Sequence, residues 1–267
     1  MFQGDCSMNS TTPQLLNNWI QVQSKLKKKL VTEDDFTWKV PTRIKGGDEG
    51  AESCEVLKYI GGVDLSFSRG DPSVACATLV VLELKSLEIV YQDSCVVRLS
   101  VPYVPGFLAF REAPVLLELL DKMKACSHPL YPQVLLMVDG NGILHPQGFG
   151  LACHLGVLAN IPTIGIGKSL HHVDGLSKST VRERFEMDGN SSQDIIPLIG
   201  DSGQTLGAAL LSTRGSSKPI YVSIGHRISL AVAIEIVKVS CKYRVPETIR
   251  QADIKSRQYL QNSRSIC

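Results

Sequence analysis

Leu57–Phe67, LKYIGGVDLSF, is the stretch that most narrows what this chain can fold into. Its alternation reads as a strand. Val63, Leu65 and Phe67 point to one face and Asp64 and Ser66 to the other, because successive side chains on a strand face opposite sides. An ionised carboxylate inside a strand must be paired or metal-bound if it is buried. Two readings of Asp64 stay open at this point: an edge or half-exposed strand with the carboxylate in water, or a buried site. The other acids of the chain bear on the choice.

Around this strand the pattern changes once. Leu57–Phe67, Val74–Glu83 and Glu88–Leu99 are three closely spaced strands, separated by Arg69-Gly70-Asp71-Pro72 and Lys85-Ser86. Short turns between strands imply an antiparallel meander. An apolar helix through Val115, Leu116, Leu119, Leu120 and Met123 follows, then the continuous apolar run Val134–Val138, which suggests a strand buried on both faces. A helix at Gly148–Ala159, a strand at Thr163–Ile166, a strand pair at Leu206–Ser212 and Ile220–Ile224, and helices at Ser229–Cys241 and Glu247–Gln261 complete the pattern. On the first of those last two helices Leu230, Ile234, Val237 and Cys241 are expected to face inward. Residues 173–203 are polar and rich in Gly and Ser and read as a surface excursion. The predicted class is α/β, a central mixed sheet flanked by helices.

At the N-terminus, Leu15, Trp19, Val22, Leu26 and Leu30 recur at helical spacing, predicting a helix over 13–31. The lysines at its end, Lys25 and Lys27–Lys29, read as a solvated face or as a phosphate-contacting patch. Residues 1–12 are set apart as a tail whose first four resemble a protease-site scar, and 43–55 reads as a loop. The remainder, 13–267, is expected to form a single domain.

With 267 residues the chain can bury one large core, and 43% hydrophobic and 20% charged residues are ordinary for a soluble enzyme. A net charge of +2 is too mild to diagnose nucleic-acid binding, though it allows a local basic groove. No apolar run approaches the roughly 18–20 residues of a membrane span, and no secretory signal is read. The 8 cysteines form no CxxC pair and none has zinc spacing to a histidine. The expectation is a reduced protein without disulfides or zinc, cytoplasmic or nuclear.

Three further acids share the problem of Asp64. Asp139 ends the buried run and precedes Gly-Asn-Gly, which allows a tight turn and close approach to the backbone. Glu112 precedes Pro114, which places it at the start of the Val115 helix. Asp253 shares a packing face with Ile249, Ala252, Ser256 and Leu260 on the last helix, so it needs a partner. Each has a plainer explanation: an Asp-Gly turn, a favourable helix dipole, a salt bridge. Together they would suit hard divalent cations, which take oxygen ligands. Two such ions about 3.5–4 Å apart stabilise both the attacking and the leaving oxygen of a phosphodiester.

The segments GGVDLSF, VPYVPGFLAFRE, VLLMVDGNGILHPQGFGLACHLG, IPTIGIGK, SIGHRISL and PETIRQAD resemble the endonuclease V family from about residue 57 to 260. The resemblance implies a ribonuclease H-like fold and a Mg²⁺-dependent nuclease directed at inosine, with Mn²⁺ able to substitute. It implies metal-holding and catalytic roles for Asp64, Glu112 and Asp139, a catalytic role for Lys168, and a fourth acidic position at Asp253, where some members carry histidine. It matches Pro102, Tyr103, Val104 and Pro105 to a wedge that stacks on bases. It assigns the base pocket to the Gly106–Leu108 backbone (Gly106 and Leu108 foremost), Gly140, Asn141, Gly142, His145 and Leu170, with His226 as a phosphate-contact candidate. The implied substrate is inosine-containing single-stranded RNA or DNA, cut at the second phosphodiester 3′ to the inosine, by a monomer. Two rivals remain: a related nuclease acting on RNA–DNA hybrids, and a non-catalytic reader of inosine in RNA.

Overall fold

The computed structural model describes residues 13–40, 55–131, 135–187, 194–213, 216 and 218–264. Helix α1 (Pro13–Lys27) precedes the meander β1 (Tyr59–Phe67), β2 (Val74–Glu83) and β3 (Ile89–Arg98). Then come α2 (Leu108–Ala125), β4 (Leu135–Asp139), α3 (Leu151–Ala159), β5 (Thr163–Gly167), α4 (Lys178–Met187) and β6 (Ile195–Ile199). The chain finishes with β7 (Thr205–Leu210), β8 (Ile220–His226), α5 (Leu230–Ser240) and α6 (Glu247–Arg264).

Among the described residues all the strands join one 8-stranded sheet in the order β3-β2-β1-β4-β5-β8-β7-β6. The meander pairs antiparallel, β1–β4 and β4–β5 pair parallel, and β8, β7 and β6 continue antiparallel. Alternation along the strands feeds two apolar layers. Ile60, Val80, Met137 and Ile164 pack with Ile236 of α5 and Ile249 of α6 on one side. Val63, Leu79, Leu136 and Val138 pack with Leu116 and Leu119 of α2 and Leu155 of α3 on the other. The mixed α/β sheet flanked by helices thus stands as the sequence predicts. Strand β4 is apolar up to its terminal Asp139, and Leu135, Leu136, Met137 and Val138 are all fully buried.

Four expectations need correction. Helix α2 begins at Leu108, so Pro114 lies inside it and Glu112 sits in its second turn. Ala109, Glu112, Ala113 and Leu116 share its buried stripe, and that burial outweighs the hydrogen bond Pro114 cannot donate. Residues 173–203 contain α4 and β6; Val181, Ile196 and Leu198 form a third apolar cluster with Leu170, Leu176 and Tyr221. Helix α1 ends at Lys27 and buries only Trp19 and Gln23, leaving Leu15 exposed. On α5 the buried face is Val232, Ala233, Ile236, Val237 and Ser240, with Leu230, Ile234 and Cys241 half-buried at its margin. Residues 1–12 and all but the last residue of the 43–55 loop lie outside the described residues.

Gly62 sets how close α6 comes to the sheet. A Cβ there would meet Thr248 side-chain and backbone atoms at 2.5 and 2.6 Å, so α6 lies directly on β1. That contact carries Asp253 and Ser256 over the strand bearing Asp64. Gly62→Ala is expected to lower stability by about 1–3 kcal/mol through overpacking. Thermal denaturation checks it, and an unchanged Tm would mean the helix shifts without cost.

Candidate active site

In the β1–β4 pair Val63 stands opposite Val138, so Asp64 and Asp139 are the next residues along two adjacent parallel strands. Strand β1 is flanked by β2 and β4, and Asp64 is only 7% exposed. The edge-strand reading with a solvated carboxylate therefore fails. Burial pushes Asp64 above the ordinary carboxylate range, and the neighbouring Asp139 pushes it further. Glu112, 6% exposed, is pushed up to about 8 by burial and then by Asp64 and Asp139. Three carboxyls from β1, β4 and α2 thus crowd one place where they repel one another.

Lys168, just past β5, answers part of that charge. Its Nζ forms an ion pair with Asp139 Oδ2 at 2.5 Å. Burial alone would lower the ammonium's pKa, but Asp139, with Asp64 and Asp253 behind it, holds it above its ordinary value. Asp253 pairs with Arg257 at 2.8 Å, one turn along α6. Asp64, Asp139, Lys168, Asp253, Arg69 and Arg257 line one cavity of about 580 Å³.

The Ser256 hydroxyl lies 3.3 Å from Asp64 Oδ2, 2.7 Å from Ser66 Oγ and 3.0 Å from the Asp253 carbonyl. It links α6 to the buried aspartate. The sequence placed Ser66 on the Asp64 face and Ser256 on the packing face of α6, but nothing in it showed that the two faces meet.

A second cavity, of about 390 Å³, opens beside the first and shares Asp139 and Lys168 with it. Its walls include Tyr103, Pro105, Gly106, Leu108, Gly140, Asn141 and His145, all candidates from the sequence. Ser169 and His171 also line it, and no sequence pattern singled them out. Tyr103 is 64% exposed, as a projecting wedge would be. His145 Nδ1 accepts from the Gln147 backbone N–H, and burial, His171 and Lys27 lower its pKa to about 4. The ring is therefore neutral, with its proton on Nε2 as a donor.

Five candidates lie elsewhere. Pro102 and Val104 flank the exposed Tyr103 without lining the cavity. Leu170 is packed in the third apolar cluster. At Gly142 a Cβ would sit 1.9 Å from the Ile224 carbonyl oxygen, so the close approach this glycine permits is to β8 rather than to a ligand. His226 is 3% exposed and its Nδ1 accepts from the Val31 N–H, which ties the segment after α1 to β8. Helix α1 itself holds the pocket loop: Gln23 Nε2 donates to the Phe149 carbonyl at 3.0 Å and Lys27 Nζ to the Gln147 carbonyl at 2.8 Å. Lys27 remains exposed, as a solvated face would be, and holds that loop as well.

A family model for endonuclease V matches residues 38–254. The chain belongs to the endonuclease V family. Endonuclease V of Mus musculus is 47% identical over 93% of this chain and 70% of that protein. Endonuclease V of Homo sapiens is 45% identical over 93% of this chain and 84% of that protein. The crystal structure of the human endonuclease V catalytic domain superposes with a TM-score of 0.85 at 42% identity, covering 96% of this chain and all of that one. Endonuclease V of Ciona intestinalis, crystallised with a DNA containing an inosine followed by a ribo-adenosine, superposes with a TM-score of 0.83 at 34% identity, covering 94% and 99%. The chain shares the fold of solved endonuclease V structures, and it is a hydrolase of the endonuclease class.

The donor set of this family member fits a hard divalent cation. Asp64, Glu112 and Asp139 offer only oxygen, and the burial and mutual repulsion that raise two of them are costs a bound cation would offset. Among the described residues no three His, Cys, Asp or Glu close a ready-made cage. The carboxylates would hold the ion together with water and substrate phosphate, the mode Mg²⁺ favours.

Proposed function

We propose that this protein is a Mg²⁺-dependent endonuclease directed at inosine in nucleic acid, with Mn²⁺ as a workable substitute. One observation carries the reading: Asp139 and Lys168 line both the carboxylate cavity and the neighbouring cavity. A strand whose base enters the second cavity must lay its backbone along the first. The inosine-containing DNA bound by the Ciona relative supports the choice of base.

In this reading Tyr103 stacks where the extruded base leaves a gap. The neutral His145 ring and the backbone beside Gly106 and Leu108 present hydrogen-bond donors to hypoxanthine O6, and the pocket excludes a 2-amino group. Asp64, Glu112 and Asp139 hold the cation, Ser256 fixes Asp64, and Asp253 holds Arg257 at the cavity rim. Lys168 meets the charge that grows on the phosphate. A bound divalent ion supplies Lewis-acid stabilisation and an activated water. The bond cut is the second phosphodiester 3′ to the inosine, leaving 3′-hydroxyl and 5′-phosphate ends. Likeness of the PYV wedge to animal relatives favours single-stranded RNA over DNA.

Product mapping tests this. Chelation should stop cleavage and Mg²⁺ restore it, with 5′-phosphate products at the stated bond. Efficient cutting of an inosine-free RNA–DNA hybrid would favour the related-nuclease rival. Tight inosine binding without cleavage in Mg²⁺ would favour the reader.

Tyr103→Ala is expected to weaken binding of inosine strands by roughly ten- to a hundredfold, since base–aromatic stacking is worth about 1–3 kcal/mol. Tyr103→Phe should change little, because stacking uses the ring. Affinity measured in Ca²⁺, with Tm as control, decides it: equal affinity in Tyr103→Ala with an intact fold removes the ring from the site.

A further inference from the structure

Building on the proposed function, we infer that the groove between α4 and the β7–β8 connection is a phosphate track. It would hold a flank of the substrate strand outside both the base pocket and the scissile bond. The groove has a volume of about 660 Å³, and it reaches Lys168 and Ser169, which also border the base cavity. It therefore adjoins the site. Lys168, Lys178, Arg182, Lys218 and Arg244 line it against one carboxylate, Glu186. In a chain of 28 basic and 26 acidic residues, that is a strong local excess of positive charge.

The charges differ in how far they are already answered. Arg182 pairs with Glu186 on the exposed surface at 2.7 Å, a contact of little strength that phosphate can displace. Among the described residues Lys178, Lys218 and Arg244 have no carboxylate partner. Arg244 donates instead to the carbonyls of Lys168, Lys218 and Pro219, which pins the groove wall to the residue that meets the reacting phosphate.

Val181, Phe185 and Tyr221 line it as well, and Phe185 is half-buried. Cations and an aromatic ring in one groove are what a single strand needs: charge for its backbone and a face for its bases. Helix α4 belongs to the segment that looked like a bare excursion in the sequence, and the groove gives that addition a use.

The test uses the whole chain, with single-inosine oligonucleotides of about 20 and roughly 6 nucleotides, bracketing the site sizes of single-strand grooves. Binding is measured in Ca²⁺ over a range of salt. Lys178→Ala/Lys218→Ala should raise Kd for the long strand by roughly tenfold. Its salt slope should fall by about 1.4, since each phosphate contact to a single strand contributes about 0.7. The loss should shrink on the short strand. Lys178→Glu/Lys218→Glu should exaggerate all three effects; both side chains are exposed, and an unchanged Tm verifies the fold. If wild type cleaves inosine strands while the variants keep its Kd and slope, the groove assignment is overturned alone. If wild type neither binds nor cleaves them, the underlying reading falls and the groove with it.

Discussion

Asp139→Asn should lower the single-turnover cleavage rate by at least about a thousandfold. Asp139 is the carboxylate that borders both cavities and holds Lys168. A cation gripped by such carboxylates stabilises transition-state charge by several kcal/mol; about 4 kcal/mol lost is about a thousandfold in rate. Asparagine keeps the shape but not the charge, so the ion is held weakly and Lys168 loses its anchor. The fold should survive, because Asp139 sits at the strand end and its Lys168 partner is partly solvated. Asp64→Ala should be at least as severe, since it removes the most central carboxylate of the cluster, between β2 and β4. Single-turnover rates in millimolar Mg²⁺, with Tm alongside, check both. Near-wild-type cleavage in either variant contradicts the metal assignment.

Lys168→Ala should cost about 10²–10³ in the same rate, the range seen when one preorganised donor to a developing oxyanion is removed. The effect should fall mainly on the rate at saturating substrate, because the lysine's interaction strengthens as phosphate charge builds. Lys168→Arg should recover only part of it: the charge is kept, but a planar guanidinium cannot take the place of a compact ammonium beside Asp139. A variant that changes only the KM would reduce Lys168 to a binding residue.

Much of this geometry could be read from residue order, for particular reasons. The meander was clear because its turns are short and its strands alternate. Strand β4 was clear because a strand buried on both faces has no polar positions. Helix α2 was misjudged because Pro114 signals a boundary locally, whereas the buried stripe that overrides it is a tertiary fact. Helix α4 and β6 were missed because each offers only two or three apolar residues to a small cluster and is otherwise polar. At the site, strand and helix patterning singled out the four acids, and the family resemblance supplied Lys168 and the roles. Register and packing added what no motif encodes: Ser256 against Asp64, and α1 clamping the pocket loop through Gln23 and Lys27. The same packing set Gly142 against β8, Leu170 in an apolar cluster, and His226 in a buried contact with the segment after α1 instead of at a phosphate.

The central claim is that this carboxylate site acts on strands selected by inosine. The most direct test incubates the protein in Mg²⁺ with strands identical except at one position, inosine against guanosine, each made as RNA and as DNA. The expected result is one cut in the inosine strands, at the second phosphodiester 3′ to the inosine, faster in RNA, with the guanosine twins intact. Equal cutting of the guanosine twins, or no cutting of any strand by protein that binds inosine, would contradict it.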